Sequence, residues 1–185
     1  ALIAIFNKVV VLTPLAAIAA YAAAVADGDL KAQLTGRFRF ELAGLARNLE
    51  RMVGELKTKL GFAQGVMNGI PAPCGIVGPD CTMIWANQQI CDLLEKNARP
   101  ETFTGQKSGQ FYLNDANRET CSDKALRQRH VMTADNEYVT PSGKQLRIHV
   151  VTTPFFDMDD NLLGSISFWN DQTEIHTQQE RIAAQ

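Results

Sequence analysis

VADGDLKAQLTGRFRFELAGL, residues 25–45, ends one helical pattern at Gly28 and starts another at Glu41. Upstream, the larger apolar side chains fall at Val11, Leu15, Ile18, Ala22 and Val25, in steps of 4, 3, 4 and 3. Downstream they fall at Leu42, Leu45, Leu49, Met52 and Leu56, in steps of 3, 4, 3 and 4. Both are heptad seams, narrow stripes that bury against another helix. The second helix carries Arg47, Glu50, Arg51, Glu55, Lys57 and Lys59 on its other faces. Two helices of about four turns bury two seams poorly by themselves. A second copy of the pair would close a four-helix bundle around both.

The connector decides the direction of the second helix. Antiparallel neighbours need roughly 2–8 linking residues, and the stretch from Gly28 to Phe40 holds 13. At ~3.3 Å per residue it reaches ~43 Å, more than the ~21 Å length of a 14-residue helix. The connector can therefore climb back along the first helix, and the second helix runs parallel to it. Leu30, Leu34, Phe38 and Phe40 are the side chains that would pin it to the bundle.

The chain has 185 residues, 45% hydrophobic and 21% charged, as folded domains do. Its net charge of −2 and the absence of a Lys/Arg-rich run argue against nucleic acid as a partner. Cys74, Cys81, Cys91 and Cys121 form neither a zinc-finger nor a haem-attachment spacing. They read as small buried side chains in a reducing compartment. Val9 to Ala26 is uncharged and just reaches the length of a membrane span. Pro14 and the run of alanines favour a bundle helix there, and a literal span is the alternative. The chain begins without Met inside the apolar run ALIAIF and ends within a helical pattern. It reads as a piece of a longer protein, cut just past a membrane helix.

Pro14-Leu15, Gly28-Asp29-Leu30, Glu41-Leu42, Leu45 and Met52 stand at the spacing of a HAMP domain. Residues 8–60 thus resemble this parallel four-helix signalling module, although Glu50 stands where the family often has Asn. The resemblance implies a homodimer with a seam of Leu15, Ile18, Leu42, Leu45, Leu49 and Met52. It assigns signalling roles to Pro14, Gly28, Asp29, Leu30 and Glu41. Residues 1–7 are then the end of a membrane-proximal helix.

Beyond residue 60 the helix is expected to continue to about Asn68, where NGIPAPCG breaks it. CGIV and TMIWAN read as strands around a turn, and QQICDLLE as a helix. Residues 97–113 read as irregular, and residues 117–129 as a polar helix. Strands are expected over 130–140 and 145–155, joined by the turn PSGK, and over 162–169. The order β-β-α-α-β-β-β implies an α+β domain: a five-stranded antiparallel sheet with helices on one face.

That order, with Asn87 closing the second strand, Gly105 in the loop region, the SGK hairpin and Asp171-Gln172-Thr173 after the last strand, resembles a PAS domain. The resemblance implies a sensory domain over 73–173, a helical linker over 61–72 and the start of an output helix over 174–185. It implies a ligand cavity between sheet and helices, with Trp85, Asn87, Tyr112, His130, Tyr138, Thr152 and Trp169 as candidate lining groups. The strand register that decides which of them point inward stays open. Asp171 and Thr173 match the family's Asp-x-Thr signalling motif, and Thr173 is a candidate N-cap of the following helix. No cofactor is required. A small organic ligand and a filled, ligand-free core are both compatible with the sequence. A b-type haem is not expected, since His130 is the only axial candidate near the helix-to-strand region, and His149 reads as a strand surface residue. No metal site and no catalytic motif stand out, so the chain is not expected to be an enzyme.

Taken together, these resemblances imply the cytoplasmic HAMP–PAS portion of an inner-membrane receptor. The methyl-accepting chemotaxis type comes first, and its output domain lies downstream. The alternatives are the input region of a sensor histidine kinase or cyclase, and a soluble PAS adaptor that dimerises through its helices.

Overall fold

Gly28 ends the first helix in a way that only its missing side chain makes easy. A computed structural model of the chain describes residues 8–183, so the expectation for residues 1–7 lies outside it. The chain forms two units, Ala1–Gly69 and Ile70–Gln185.

In the first unit a π-helical turn, Lys8–Leu12, leads into α1 (Thr13–Ala26). Pro14 sits in the first turn, where a missing N–H costs nothing. At the other end Gly28 takes φ +93°, its N–H bonds Val25 O at 3.0 Å, and Asp29 N bonds Ala24 O at 2.9 Å. These two bonds are a Schellman cap, which satisfies carbonyls the helix would leave unpaired. The second helix, α2, runs from Glu41 to Asn68.

Ile18 and Tyr21 of α1 are buried, as are Ala46 and Val53 of α2. Tyr21 shares a groove with Val53, Lys57 and the connector residue Leu34. Tyr21 stands five residues from the end of α1, so an antiparallel α2 would place its first turn there. The residues beside Tyr21 instead come from more than two turns inside α2, so the helices run parallel. Leu30, Leu34 and Phe38 of the connector are half-buried. Phe40 departs from expectation: it is 75% exposed. Gly36, at φ +144°, lets the Phe38 ring fold back within 3.1 Å of where a Cβ would stand. Phe40 takes φ +54° and turns away.

The second unit contains β1 (Cys74–Val77), β2 (Met83–Ala86), α3 (Gln88–Leu93), a 3₁₀ turn (Pro100–Phe103), α4 (Ser108–Leu113) and α5 (Cys121–Gln128). Then come β3 (Met132–Val139), β4 (Gln145–Phe156), β5 (Leu162–Asp171) and α6 (Thr173–Ala183). The five strands form one antiparallel sheet in the order β2-β1-β5-β4-β3, the expected fold class. The irregular stretch expected over 97–113 is in fact half ordered, with the 3₁₀ turn and α4 inside it. Gly109 is the reason a helix fits: a Cβ there would stand 2.3 Å from Arg118 O and 2.5 Å from Asp115 O. This glycine is a close-packing position.

Strand β4 shows why the sheet has one buried face. Leu146, Ile148, Val150 and Thr152 alternate inward, while Arg147, His149, Val151 and Thr153 face the other way. The inward residues join Val77, Met83, Ile90, Leu94, Phe111, Tyr112 and Trp169 in the core. Tyr112 lies flat on Trp169, ring centroids 5.0 Å apart, and its hydroxyl reaches to 2.4 Å from where a Gly75 Cβ would stand.

Gly75→Ala should therefore destabilise the second unit by roughly 1–3 kcal/mol, the usual cost of overpacking. Adding Tyr112→Phe removes the clashing oxygen and should restore most of the loss. Chemical denaturation of both variants checks this; a G75A protein as stable as the parent would refute the close contact.

Candidate functional site

The strand register sorts the candidate lining residues. Tyr112, Tyr138, Thr152 and Trp169 are buried and belong to the inner face or the helices packed on it. Trp85 does not. It pairs with Ile76, outside the core, because a register shift between Ile76 and Val77 turns both Ile84 and Trp85 outward while Met83 points in. His130 is a second correction. It precedes β3, is exposed, and its Nδ1 lies 3.2 Å from Gln128 O. A group so placed cannot reach the interior as an axial ligand. His149 is half-buried on the outward face, with Nδ1 2.6 Å from Asp135 Oδ1.

Asn87 is buried, but its polar atoms are fully occupied. Oδ1 accepts from Cys74 N and Ile90 N, both at 3.0 Å, and Nδ2 donates to Ala72 O at 2.8 Å. It caps α3 and ties that helix to the start of β1, so it is a positioning group and not a lining one.

A cavity of about 210 Å³ lies between the sheet and α5, bordered by Tyr112, Trp169, Ser167, Ser122, Thr120 and Asn136. Ser122 and Ser167 of its lining belong to a chain of buried hydroxyls. Ser167 Oγ lies 2.7 Å from Ser122 Oγ and 2.8 Å from Thr152 Oγ1. Small residues on β5 let α5 approach the sheet, and each hydroxyl finds a partner there. Tyr112 Oη is left without a hydrogen bond, as is Trp169 Nε1. Burial pushes the Tyr112 phenol far above its usual titration range. At the mouth, Thr120 and Asp123 form a capping box for α5. Asp123 also accepts from Ser108 Oγ at 2.7 Å, which joins the starts of α4 and α5. Thr120-x-x-Asp123 was open to recognition as a capping box, whereas nothing local marks Ser122 and Ser167.

The junction with α6 has its own geometry. Asp171 Oδ1 accepts from Thr173 N at 3.0 Å and from the Thr173 hydroxyl. Thr173 Oγ1 accepts from Arg147 N at 3.0 Å, and Gln172 N donates to Arg147 O at 2.8 Å. Thr173 is thus the first residue of α6 and turns its oxygen to β4, so it is not the N-cap. Asp171 holds the first amide, and Arg147 is the third member of the junction that the sequence did not reveal.

In the first unit, Pro14 is buried, Leu30 half-buried, and Asp29 Oδ1 accepts from Lys31 N at 3.0 Å. Glu41 is exposed and opens α2, where a carboxylate suits the free N–H groups. Of the expected seam residues, Ile18 is buried within the chain. Leu42 and Leu49 are half-buried, and Leu15, Leu45 and Met52 are exposed. The contact within the chain adds Tyr21, Ala46 and Val53, one position round from the seam.

Comparison with known proteins follows the same division. The PAS domain family matches residues 71–174, more than half of the chain, and the chain belongs to that family. The HAMP domain family matches residues 10–58. A HAMP domain followed by a PAS domain makes this a signal-transduction sensor region. The PAS domain of BvgS from Bordetella pertussis shares the fold, with a TM-score of 0.50 at 18% identity, over 69% of this chain and 96% of that one. A PAS domain from Colwellia psychrerythraea matches with a TM-score of 0.49 at 14% identity, over 62% and 98%. The Vibrio cholerae VqmA dimer without target DNA gives 0.49 at 16% identity, over 61% and 51%, so the chain spans about half its length. No curated protein matches the chain.

Burial raises the Cys74 and Cys91 thiols to about 11 from 9.0. At about pH 8 both should alkylate roughly a hundredfold more slowly in the native protein than after unfolding. Their raised native values also mean that stability falls as the pH climbs through the window from 9.0 to about 11. Peptide mapping after timed iodoacetamide treatment reads the rates; equal labelling before and after unfolding would contradict the burial.

Proposed function

We propose that the chain is the relay region of a dimeric, membrane-linked bacterial receptor, of the methyl-accepting chemotaxis type, which passes a signal to an output domain downstream. Its observed support is one feature of α2. That helix closes one apolar row, Ala46 and Val53, against α1 and leaves the next row open. Leu45, Met52 and Leu56 are exposed, and Leu45, Leu49 and Met52 border a shallow groove along the helix. A second copy in parallel covers this row and completes a four-helix bundle. The same row would also suit the input region of a kinase or cyclase.

Val9–Ala26 is long and apolar enough to cross a membrane, and the helix it forms packs on α2 through Ile18 and Tyr21. Both facts fit a HAMP helix that continues from a membrane segment. In the PAS unit, Trp169 Nε1 is buried and unpaired on a side chain that borders the cavity. That favours a small ligand with a hydrogen-bond acceptor over a ligand-free core. Binding would shift an existing equilibrium between bundle packings, with no chemical reaction in this region. Native mass spectrometry of the dimer reads any retained ligand as extra mass.

Leu49→Gln removes two buried leucines per dimer, each worth roughly 1.5–3 kcal/mol, so dimer affinity should fall at least about a hundredfold. Sedimentation velocity across a concentration series gives the constant, and an unchanged dimer would rule out the open row as its seam. Asp171→Ala should abolish output in the full receptor while thermal unfolding of the PAS unit shifts by no more than about 1 kcal/mol, the worth of an exposed hydrogen bond. Normal signalling from that variant would remove Asp171 from the relay.

A further inference from the structure

The connector carries a second surface that the bundle does not use. Tyr21 and Val53 lie at one level of the parallel pair. Thirteen residues back along the chain from each stand Lys8 and Phe40, so these two come to one end of the unit, about 20 Å away. Arg39 immediately precedes Phe40, and Arg37 stands three residues before it. Both are exposed, and among the described residues neither forms an ion pair. The Phe40 ring is 75% exposed, on a backbone at φ +54° and ψ −133° that a residue with a side chain rarely adopts. A large exposed apolar ring in a strained backbone, next in sequence to two exposed arginines, is not explained by packing within the unit. Glu41, next in sequence, belongs to the helix start and its N–H groups.

We propose that Arg37, Arg39 and Phe40 form a lip that rests on an anionic lipid surface. The inference depends on the membrane-linked reading above. The two arginines meet lipid phosphates, which accept from a guanidinium at two points. The ring enters the boundary between headgroups and acyl chains. Charge and place agree. The lip sits level with residue 8, two positions after the apolar run ALIAIF, so its two arginines stand at the end where the chain would leave the bilayer. An anionic surface attracts each such charge with an energy that falls off within a Debye length. The lip would thereby anchor the start of α2 beside the membrane and fix the height of the bundle beneath it.

Flotation of the full chain with two kinds of vesicle tests this, one of phosphatidylcholine alone and one containing about a third phosphatidylglycerol. The parent should bind the anionic vesicles roughly tenfold or more tightly, and added salt should erase the difference. Arg37→Gln with Arg39→Gln should lose most of that preference with unchanged helix content by circular dichroism. Phe40→Ser should weaken binding to both vesicles. Lys57→Gln with Lys59→Gln removes the same charge from the far part of α2 and should leave the preference intact. A parent that floats equally with both vesicles overturns the lip, and so does an equal loss in the two paired variants. A parent that floats with neither vesicle overturns the membrane-linked reading itself.

Discussion

The second unit is organised around one contact, the Tyr112 ring stacked on Trp169 with its hydroxyl against Gly75. Tyr112 comes from α4 and Trp169 from the last third of β5, so the stack fixes a helix to the strand that leads out of the domain. Phe111 packs edge-on against Tyr112, and Tyr138 edge-on against Trp169, at centroid distances of 4.9 and 6.2 Å. These aromatic contacts occupy the centre of the interior. The remaining space lies to one side, under α5. A ligand there touches the stack from its edge. Trp169 is two residues from Asp171, and its cross-strand partner Val150 is three from Arg147, the residue whose amide meets Thr173. The cavity and the α6 junction are therefore joined by a few residues of two paired strands.

The first unit faces a different constraint. On α2, Ala46 and Val53 form one heptad row, and Leu42, Leu45, Leu49, Met52 and Leu56 form the neighbouring one. A lone partner helix covers one row. The second row, Leu45 and Met52 above all, therefore stays exposed within the chain. The parallel direction follows from the long connector, whose Leu34 sits in the groove beside Tyr21.

Most of the fold was legible because it rests on local periodicity. The alternation along β4, the turn at PSGK and the heptads of both helices are properties of neighbouring residues. The two halves of the chain also carry family spacings that short motifs suffice to place. The site was less legible because its facts are tertiary. Trp85 faces outward through a register shift in its partner strand, which no residue of β2 announces. His130 misses the interior because β3 begins two residues later. Asn87 was legible as a strand end, yet its three strong bonds go to segments on both sides of it. Ser122 and Ser167 are ordinary polar residues in sequence, and only their meeting across 45 positions makes them a buried pair.

That buried pair limits how the domain can move. The bonds from Ser167 to Ser122 and Thr152 are short and fully desolvated, so sliding α5 along the sheet would leave hydroxyls unsatisfied at roughly 1–3 kcal/mol each. The centre of the sheet is stiff for that reason. The rim is held differently. Glu95 grips the tip of the β3–β4 hairpin through Ser142 N and Oγ at 2.9 and 2.7 Å, and Asp171 grips Thr173, all at solvent-exposed positions. Exposed bonds exchange with water at little net cost, so the hairpin and the α6 junction are where small displacements are cheapest. The first residues of β4 meet this rim on both counts, through the hairpin at Ser142 and through Arg147, and its middle carries Val150 and Thr152 into the core. Trp169 thus stands between two kinds of neighbour: the buried hydroxyl chain on one side, and two residues further along β5 the solvent-exposed bonds of the α6 junction.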